Sequence, residues 1–507
     1  MAIIGKLFKK STELSFKRNY KKGIKYNSQL RTLYRLIEKA KETNFGIKHR
    51  FIQTIENQKI VKDYQKNVPI TNYEEFYEKW LYKSINGEKN HTWPGKINFY
   101  ALSSGTTGSP SKRIPVTKQM IRSFQKTSVS QISTLYKLDL SKNFYNSKLL
   151  VIGGSSKLKK IGNHFEGDLS GILKKNTAFI FNPLTKPNNN IAKISDWNKK
   201  LEKMIEKAPS WDIGILAGVP SWCLILMEKI IERYNLKTIH DIWPNFEVYM
   251  HGGVYMQPYQ TRLEKIIGKK VFLLDTYLAS EGYFAYQTSP ERKGMKLLLS
   301  NGVFYEFVPF TSEFFDEIGN LKDNYTAFTI NQITEGIDYA MVISTNAGLW
   351  RYMIGDLIQF IDSENNEIKI TGRIKQYLSL VGEHLSLDNI TTALNNVCEK
   401  LKIEVSEFCI HADAETLKHS WFIGTNSKVK SNKFLQEIDA ELGALNDDYK
   451  TCRAHNLNTP TLEILDPSVF YEFLEKMDKS GAQNKFPRVL NSEQSENWME
   501  FLKLQLN

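Results

Sequence analysis

The sequence predicts an α/β protein: a large N-terminal domain with mostly parallel sheets over residues 26–373, then a small C-terminal α+β domain over 374–507 on a hinge. A basic segment, residues 1–25, precedes both. Three observations carry this reading. From about residue 97 onward, short apolar runs end in Gly or Ser clusters, as in INFYALSSG, KLLVIGG, EVYMHGG and VFLLDTYLASEG. Such runs read as buried strands whose carboxyl ends open into ligand-binding loops. Helix-like stretches such as Val219–Tyr234 separate some of them, which favours crossover connections. After Thr371–Lys375 the rhythm changes, and the last ~130 residues are long enough to fold independently.

Taken in order, the chain opens on charge. Within residues 1–50, fourteen Lys and Arg face three acidic residues, so +11 of the net +13 lies there and the other 457 residues carry only +2. A chain that is nearly neutral over most of its length is no uniformly basic nucleic-acid binder. The local excess reads as a solvated face, or as a patch able to touch anionic surfaces. Leu30, Leu33, Tyr34 and Ile37 then recur at helical spacing and predict the first amphipathic helix.

The longest charge-free apolar stretch, Gly214–Met227, contains Pro220 and falls short of the ~20 residues a membrane helix needs. MAIIGKLFKK lacks the apolar core of a signal peptide. Cys223, Cys398, Cys409 and Cys452 are scattered without a CxxC pair, so a zinc cluster or disulfide framework is disfavoured and a reducing cytoplasm is the expected setting. In the tail, Ile390, Leu394, Val397 and Leu401 mark a helix, FCIHAD and SWFIG two strands, and Lys433–Leu445 a second helix.

The sharpest chemical signal is SSGTTGSPSK, Ser103–Lys112, between the strand INFYAL and a helix starting near Thr117. Hydroxyls, glycines and a lysine on one tight loop suit a polyphosphate: glycine lets backbone N–H groups approach, and lysine offsets charge. It is not a P-loop, since GxxxxGK would need glycine and lysine where Pro110 and Ser111 stand. GGSS at Gly153–Ser156 lacks GxSxG. The nine histidines show no HExxH spacing. Glu281, after a buried strand, suits Mg²⁺ or a capping role. Asp356 suits a ribose diol or a turn beside Gly355. Lys485 and Arg488 in NKFPR read, taken alone, as solvated loop residues.

Together these segments resemble, in order and interval, the acyl acid amido synthetases of the auxin-responsive Gretchen Hagen three family, within the adenylate-forming superfamily; the chain is identified as a bacterial-type member. SSGTTGSPSK looks like the phosphate loop, HGGVY (His251–Tyr255) like the glycine pair beside the adenine, and YLASEG (Tyr277–Gly282) like the Tyr-x-x-Ser-Glu motif. LWRYMIGD (Leu349–Asp356) resembles the Tyr-Arg-x-Gly-Asp motif. NVPITNYEEF, FVP (Phe307–Pro309), TGRIKQYLSLVGEHLS, LNDDY and GAQNKFPR fit further landmarks, so the resemblance runs over roughly residues 28–495.

The resemblance implies two half-reactions: ATP and a carboxylic acid give an acyl-adenylate and pyrophosphate, then an amine, typically of an amino acid, displaces AMP. It implies ATP and Mg²⁺. It assigns Ser103, Ser104, Gly105, Thr106, Thr107, Gly252, Gly253, Tyr277, Ser280, Glu281, Asp356 and Arg373 to nucleotide binding, with Glu281 on the metal. Lys112 offsets phosphate charge, and Lys485 swings in on the small domain, turning about Gly372–Gln376, to bridge carboxylate and α-phosphate. The acyl pocket is placed only by position, at Gly154–Gly171 and the helix near Thr117–Tyr136. Two rivals remain open here: an acyl-CoA ligase of the same superfamily, and a non-catalytic scaffold docking through the basic N-terminus.

Overall fold

The computed structural model describes residues 25–505 apart from 58, 104–111, 178, 254–255, 317–318, 375–377, 379, 381–382, 384, 414–415, 456, 478–484 and 491. The expected basic segment up to residue 24, Ser104–Thr107 of the phosphate-type loop, Lys375 and Gln376 of the hinge, and GAQN of GAQNKFPR therefore lie outside the described residues. Among the described residues no helix is long and apolar enough to cross a membrane.

Helix Lys25–Ala40 buries Leu33, Leu36 and Ile37, but Tyr34 faces solvent and Gln29 takes its place inside. The Gln29 amide explains the exchange: it donates to the Leu299 and Val303 carbonyls and accepts from Tyr305 N–H, pinning the helix to the sheet below.

Strands are numbered in chain order. The large domain carries β1 (Phe99–Ser103), β2 (Lys112–Val116), β3 (Lys148–Val151), β4 (Lys159–Ile161), β5 (His164–Gly167), β6 (Thr185–Lys186), β7 (Ile213–Gly218) and β8 (Val248–Gly252). It continues with β9 (Phe272–Ala279), β10 (Gly282–Tyr286), β11 (Met295–Leu297), β12 (Val303–Pro309), β13 (Asp338–Thr345), β14 (Tyr352–Asp362) and β15 (Glu367–Arg373). The C-terminal part adds β16 (Glu407–Asp413), β17 (Lys418–Gly424), β18 (Thr461–Leu465) and β19 (Val489–Leu490).

Eleven strands share one sheet in the order β12-β13-β14-β15-β11-β10-β9-β8-β7-β3-β6. The sheets are mixed, which corrects the mostly parallel reading. From β6 to β9 the four neighbour pairs are parallel; from β9 to β12 the six are antiparallel. The reason is burial. All seven residues of β12 and seven of the eight in β13 are buried, so the polar alternation that usually betrays an antiparallel strand is absent. Helices pack on the parallel half: Pro220–Tyr234 links β7 to β8 and buries Trp222, Leu224, Met227 and Ile230. The apolar stretch Gly214–Met227 thus splits at Pro220 into strand and helix, with proline in the first turn where no N–H is missed.

The antiparallel half closes over one ion pair. Arg351 is 1% exposed; its Nε donates to Glu306 Oε2 at 3.0 Å and its Nη1 to the Gln65 and Val68 carbonyls at 2.9 and 2.7 Å. A second small sheet, β2-β1-β5-β4, sits beside the large one. The C-terminal sheet, β18-β17-β16-β19, has its own cores around Trp421 and Trp498. FCIHAD and SWFIG form its antiparallel pair β16/β17. His419 there is fully buried and pairs with Glu383 at 2.9 Å.

Candidate active site

A cleft of ≈ 1890 Å³ opens over the carboxyl ends of β8 and β9 and is walled on one side by the small domain, through Phe408, Lys485 and Arg488 among others. It lies where the large sheet passes from parallel to antiparallel, the crevice that open α/β sheets offer to ligands.

The turn at that point is two residues long. Ala279 pairs with Gly282, leaving Ser280 and Glu281 as the loop of the β9/β10 hairpin. Neither is among the residues with positive φ, so this turn does not match strand twist in the usual hairpin manner, and a bulge between Tyr283 and Ala285 absorbs the difference. Both residues line the cleft. Glu281 is 7% exposed and accepts a long 3.5 Å bond from the Tyr352 hydroxyl besides one from its own backbone N–H. Burial, reinforced by the Asp356 charge, raises its carboxyl to about 7.

Facing it, Asp356 is fastened on both oxygens. Tyr277 donates its hydroxyl to Oδ2 at 2.6 Å, and Arg373 Nε lies 2.8 Å from Oδ1. The strands dictate this: Asp356 on β14 sits directly opposite Arg373 on β15, so the pair forms across one ladder step. The Asp356 carboxylate holds the Arg373 guanidinium even more firmly protonated than usual.

Ser103 and Lys112 face each other as the last rung of the β1/β2 hairpin, so SSGTTGSPSK is its connection, with both ends lining the cleft. Helix Lys118–Thr134 follows, capped by the Thr117 hydroxyl accepting from Met120 N–H. Lys112 Nζ lies 5.0 Å over the Tyr73 ring and 3.9 Å from Glu74. That explains the early motif: Asn72 and Glu75 make a capping box that aims Tyr73 at the hairpin, where its hydroxyl accepts from Arg113 N–H at 2.8 Å.

The two glycines of HGGVY differ. A Cβ on Gly252 would stand 2.3 Å from the Thr276 carbonyl oxygen, so Gly252 serves the close approach of β8 to β9 and does not line the cleft. Gly253, at φ +83°, does line it, and its carbonyl accepts from Lys485 Nζ at 2.6 Å. The ammonium of Lys485 is reached by solvent yet ringed by protein; desolvation first, and the Arg373 charge second, lower it to about 8. Of the segments expected around the acyl pocket, Asp168, Leu169 and Ser170 line this cleft.

Sequence reasoning passes over other polar groups here. His251 and Asp275 stand opposite on β8 and β9, 3.6 Å apart, both in the cleft wall. Burial lowers His251 to about 4 and raises Asp275 to about 7. Arg113, Glu166 and His164 form a second cluster at 2.7 and 2.8 Å. The one signal for the first pair was the register of two neighbouring parallel strands, which spacing within a chain does not give.

Chemically, the cleft offers a carboxylate with fixed orientation, a second buried and little-partnered carboxylate, and cations from both domains. Among the described residues no three His, Cys, Asp or Glu gather as a metal cage. A divalent cation held by Glu281 and its ligand's own oxygens fits such a donor set, because Mg²⁺ commonly takes one or two carboxylates plus phosphates.

Models of the GH3 family match the chain in three parts: the N-terminal domain over residues 24–202 and 127–272, the central domain over 296–373, and the C-terminal domain over 388–494. A probable indole-3-acetic acid-amido synthetase, GH3.11 of Oryza sativa subsp. japonica, is 24% identical over 278 residues, 50% of this chain and 47% of that protein. The chain thus spans about half the length of the first curated relatives it matches. The 4-substituted benzoates-glutamate ligase GH3.12 of Arabidopsis thaliana is 22% identical over 85% of this chain and 87% of its own. Among solved structures, a GH3.15 acyl acid amido synthetase superposes with a TM-score of 0.77 at 17% identity, covering 94% of this chain and 93% of that one. A 2-hydroxyisobutyryl-CoA ligase superposes with a TM-score of 0.60 at 12% identity over 94% and 92%. These likenesses establish the fold: a large N-terminal domain and a smaller C-terminal one, as in adenylate-forming enzymes.

Proposed function

The chain belongs to the GH3 family, and from that premise we propose that it is a ligase that activates a carboxylic acid with ATP and transfers the acyl group to an amine, an amino acid being the expected acceptor. One observation carries this reading. Asp356, fastened by Tyr277 and Arg373, shares a single cleft with Glu281 and with Lys485 of the small domain.

In the first half-reaction the acid's carboxylate oxygen attacks the α-phosphorus of ATP and pyrophosphate leaves. Asp356 spends one lone pair on Tyr277 and one on Arg373, and the remaining two accept the ribose hydroxyls. Lys485 lies between the approaching carboxylate and the phosphate, where a cation stabilises charge developing on both oxygens. Lys112 and the hydroxyls of the Ser103–Lys112 loop steady the outgoing pyrophosphate. Mg²⁺, when bound at Glu281, supplies charge neutralisation and orientation of the phosphates. In the second half-reaction a neutral amine attacks the acyl carbon, AMP departs, and the nitrogen gives up its proton. A boundary near residue 374, a turn of the small domain between the halves, and a reducing cytoplasmic setting in keeping with four free thiols belong to the same proposal.

The test is pyrophosphate exchange over a panel of aliphatic, aryl and amino-acid carboxylates. The expected result is exchange with at least one class; no exchange with any acid sinks the reading. Supplying coenzyme A or mixed amino acids to the adenylate formed then separates amide from thioester as the product.

A further inference from the structure

Three residues after Lys485, the same segment crosses to the large domain a second time. Arg488 Nη1 donates to Glu407 Oε2 at 2.6 Å and to the Phe408 carbonyl at 2.9 Å, while Nη2 donates to the Tyr259 hydroxyl at 2.8 Å. That hydroxyl donates in turn to Glu407 Oε1 at 3.1 Å, an oxygen that also accepts from Tyr471 at 2.8 Å. Tyr259 lies on helix Gln257–Ile266 of the large domain and is 2% exposed. The others belong to the small domain. Between Lys485 and Arg488, Phe486 is packed against Phe470, Phe473 and Trp498. The stretch Lys485–Arg488 is therefore rigid on the small domain, and where Arg488 docks decides where Lys485 points.

Resting on the adenylation reading above, we propose that Tyr259, Arg488 and Glu407 form an interdomain latch, three positioning residues that hold the small domain where Lys485 reaches Gly253. The division of partners makes the latch reversible. Arg488 and Glu407 travel together, so their charges stay paired whether the domains are closed or apart, and opening strands no buried ion. Within the latch, the bonds made and broken are the two of one hydroxyl; the Lys485 bond to Gly253 and the Lys265–Glu404 ion pair cross the same boundary. Both hydroxyl bonds involve a charged group, which makes them stronger than neutral ones, yet they are few enough to release within a catalytic cycle.

The experiment uses Tyr259→Phe, which removes the hydroxyl and keeps the ring, with Arg488→Lys as a second variant that keeps the charge and loses the reach to Tyr259. Pyrophosphate exchange should lose roughly tenfold in kcat, with the KM for ATP within about twofold, the scale of one charge-assisted bond at the weak end of its range. On a Lys485→Ala background neither substitution should cause further loss, because the latch acts through Lys485. Dyes at the exposed positions Glu232 and Lys428, one per domain, should report a longer interdomain distance in both variants. An unchanged distance overturns the latch whatever the activity does, and so do losses that multiply with Lys485→Ala. If the unaltered protein exchanges with no acid, the adenylation reading fails on its own, and the distance measurement still decides the latch.

Discussion

Arg351 and Asp356 stand five residues apart in one motif and end in opposite circumstances. Arg351 is enclosed: a carboxylate and two main-chain oxygens accept from its Nε and Nη1, and it does not line the cleft. Asp356 is held just as firmly, by Tyr277 and Arg373, but over open space and with acceptor capacity left. The difference teaches how to sort charged residues in a motif. One enclosed by protein atoms holds the fold together, and one fixed by protein but left open to the cleft is available to a ligand.

Substitutions can break or sharpen that contrast. The largest effect belongs to the enclosed member. Arg351→Met should leave Glu306 buried without its cation and cost about 3–5 kcal/mol of stability, read as a lowered urea midpoint. A loss below ~1 kcal/mol would show the pair to be dispensable. Asp356→Ala should act on the ligand instead. Losing two ribose bonds at roughly 1.5–3 kcal/mol each weakens ATP binding about 10²–10⁴-fold in a protein that still melts cooperatively. Calorimetry giving near-native ATP affinity would remove Asp356 from the site.

Glu281→Gln probes the same contrast through pH. The carboxyl rises from 4.5 to about 7 on folding, so the folded state binds its proton more tightly than the unfolded state. The stability this contributes is complete below the unfolded value and is lost as pH climbs to about 7. Above that, the buried charge costs up to about 3 kcal/mol. The variant should therefore be more stable than the parent at pH 8, no more stable at pH 4.5, and inactive in exchange. Equal melting temperatures at pH 8 would contradict a buried, charged Glu281. The smallest effect is expected outside both regions: deleting residues 1–22 should leave exchange unchanged, and lost activity, or salt-sensitive sedimentation with anionic vesicles, would give that segment a role.

The fold class is legible because strand runs ending in glycine or serine survive as a local pattern, and β1, β3, β8 and β9 lie where those runs stand. The antiparallel half is illegible because β12 and β13 are buried throughout. Of the site, Tyr277, Glu281, Asp356, Arg373 and Lys485 share a cleft, yet no local rule connects Lys485 to Gly253, 232 residues away. Only the ordered set of motifs suggests it. Arg351 and Asp356 look equally functional in the string LWRYMIGD; burial separates them, and burial is a property of the folded chain. The His251–Asp275 pair and the Tyr259 latch depend on strand register and domain docking, which leave no signature in spacing.

The two-residue turn at Ser280 and Glu281 bears on how this protein can vary over generations. Side chains alternate faces along β9 and β10, so one residue added to or removed from that turn would exchange the faces of everything beyond the slip. Tyr277 would lose Asp356, or Glu281 would leave the cleft. Substitutions around the cleft can retune which acid enters while the turn stays untouched. Changes of length at the turn are different in kind, and descendants of this chain should carry almost none of them there, however freely their surface loops grow and shrink.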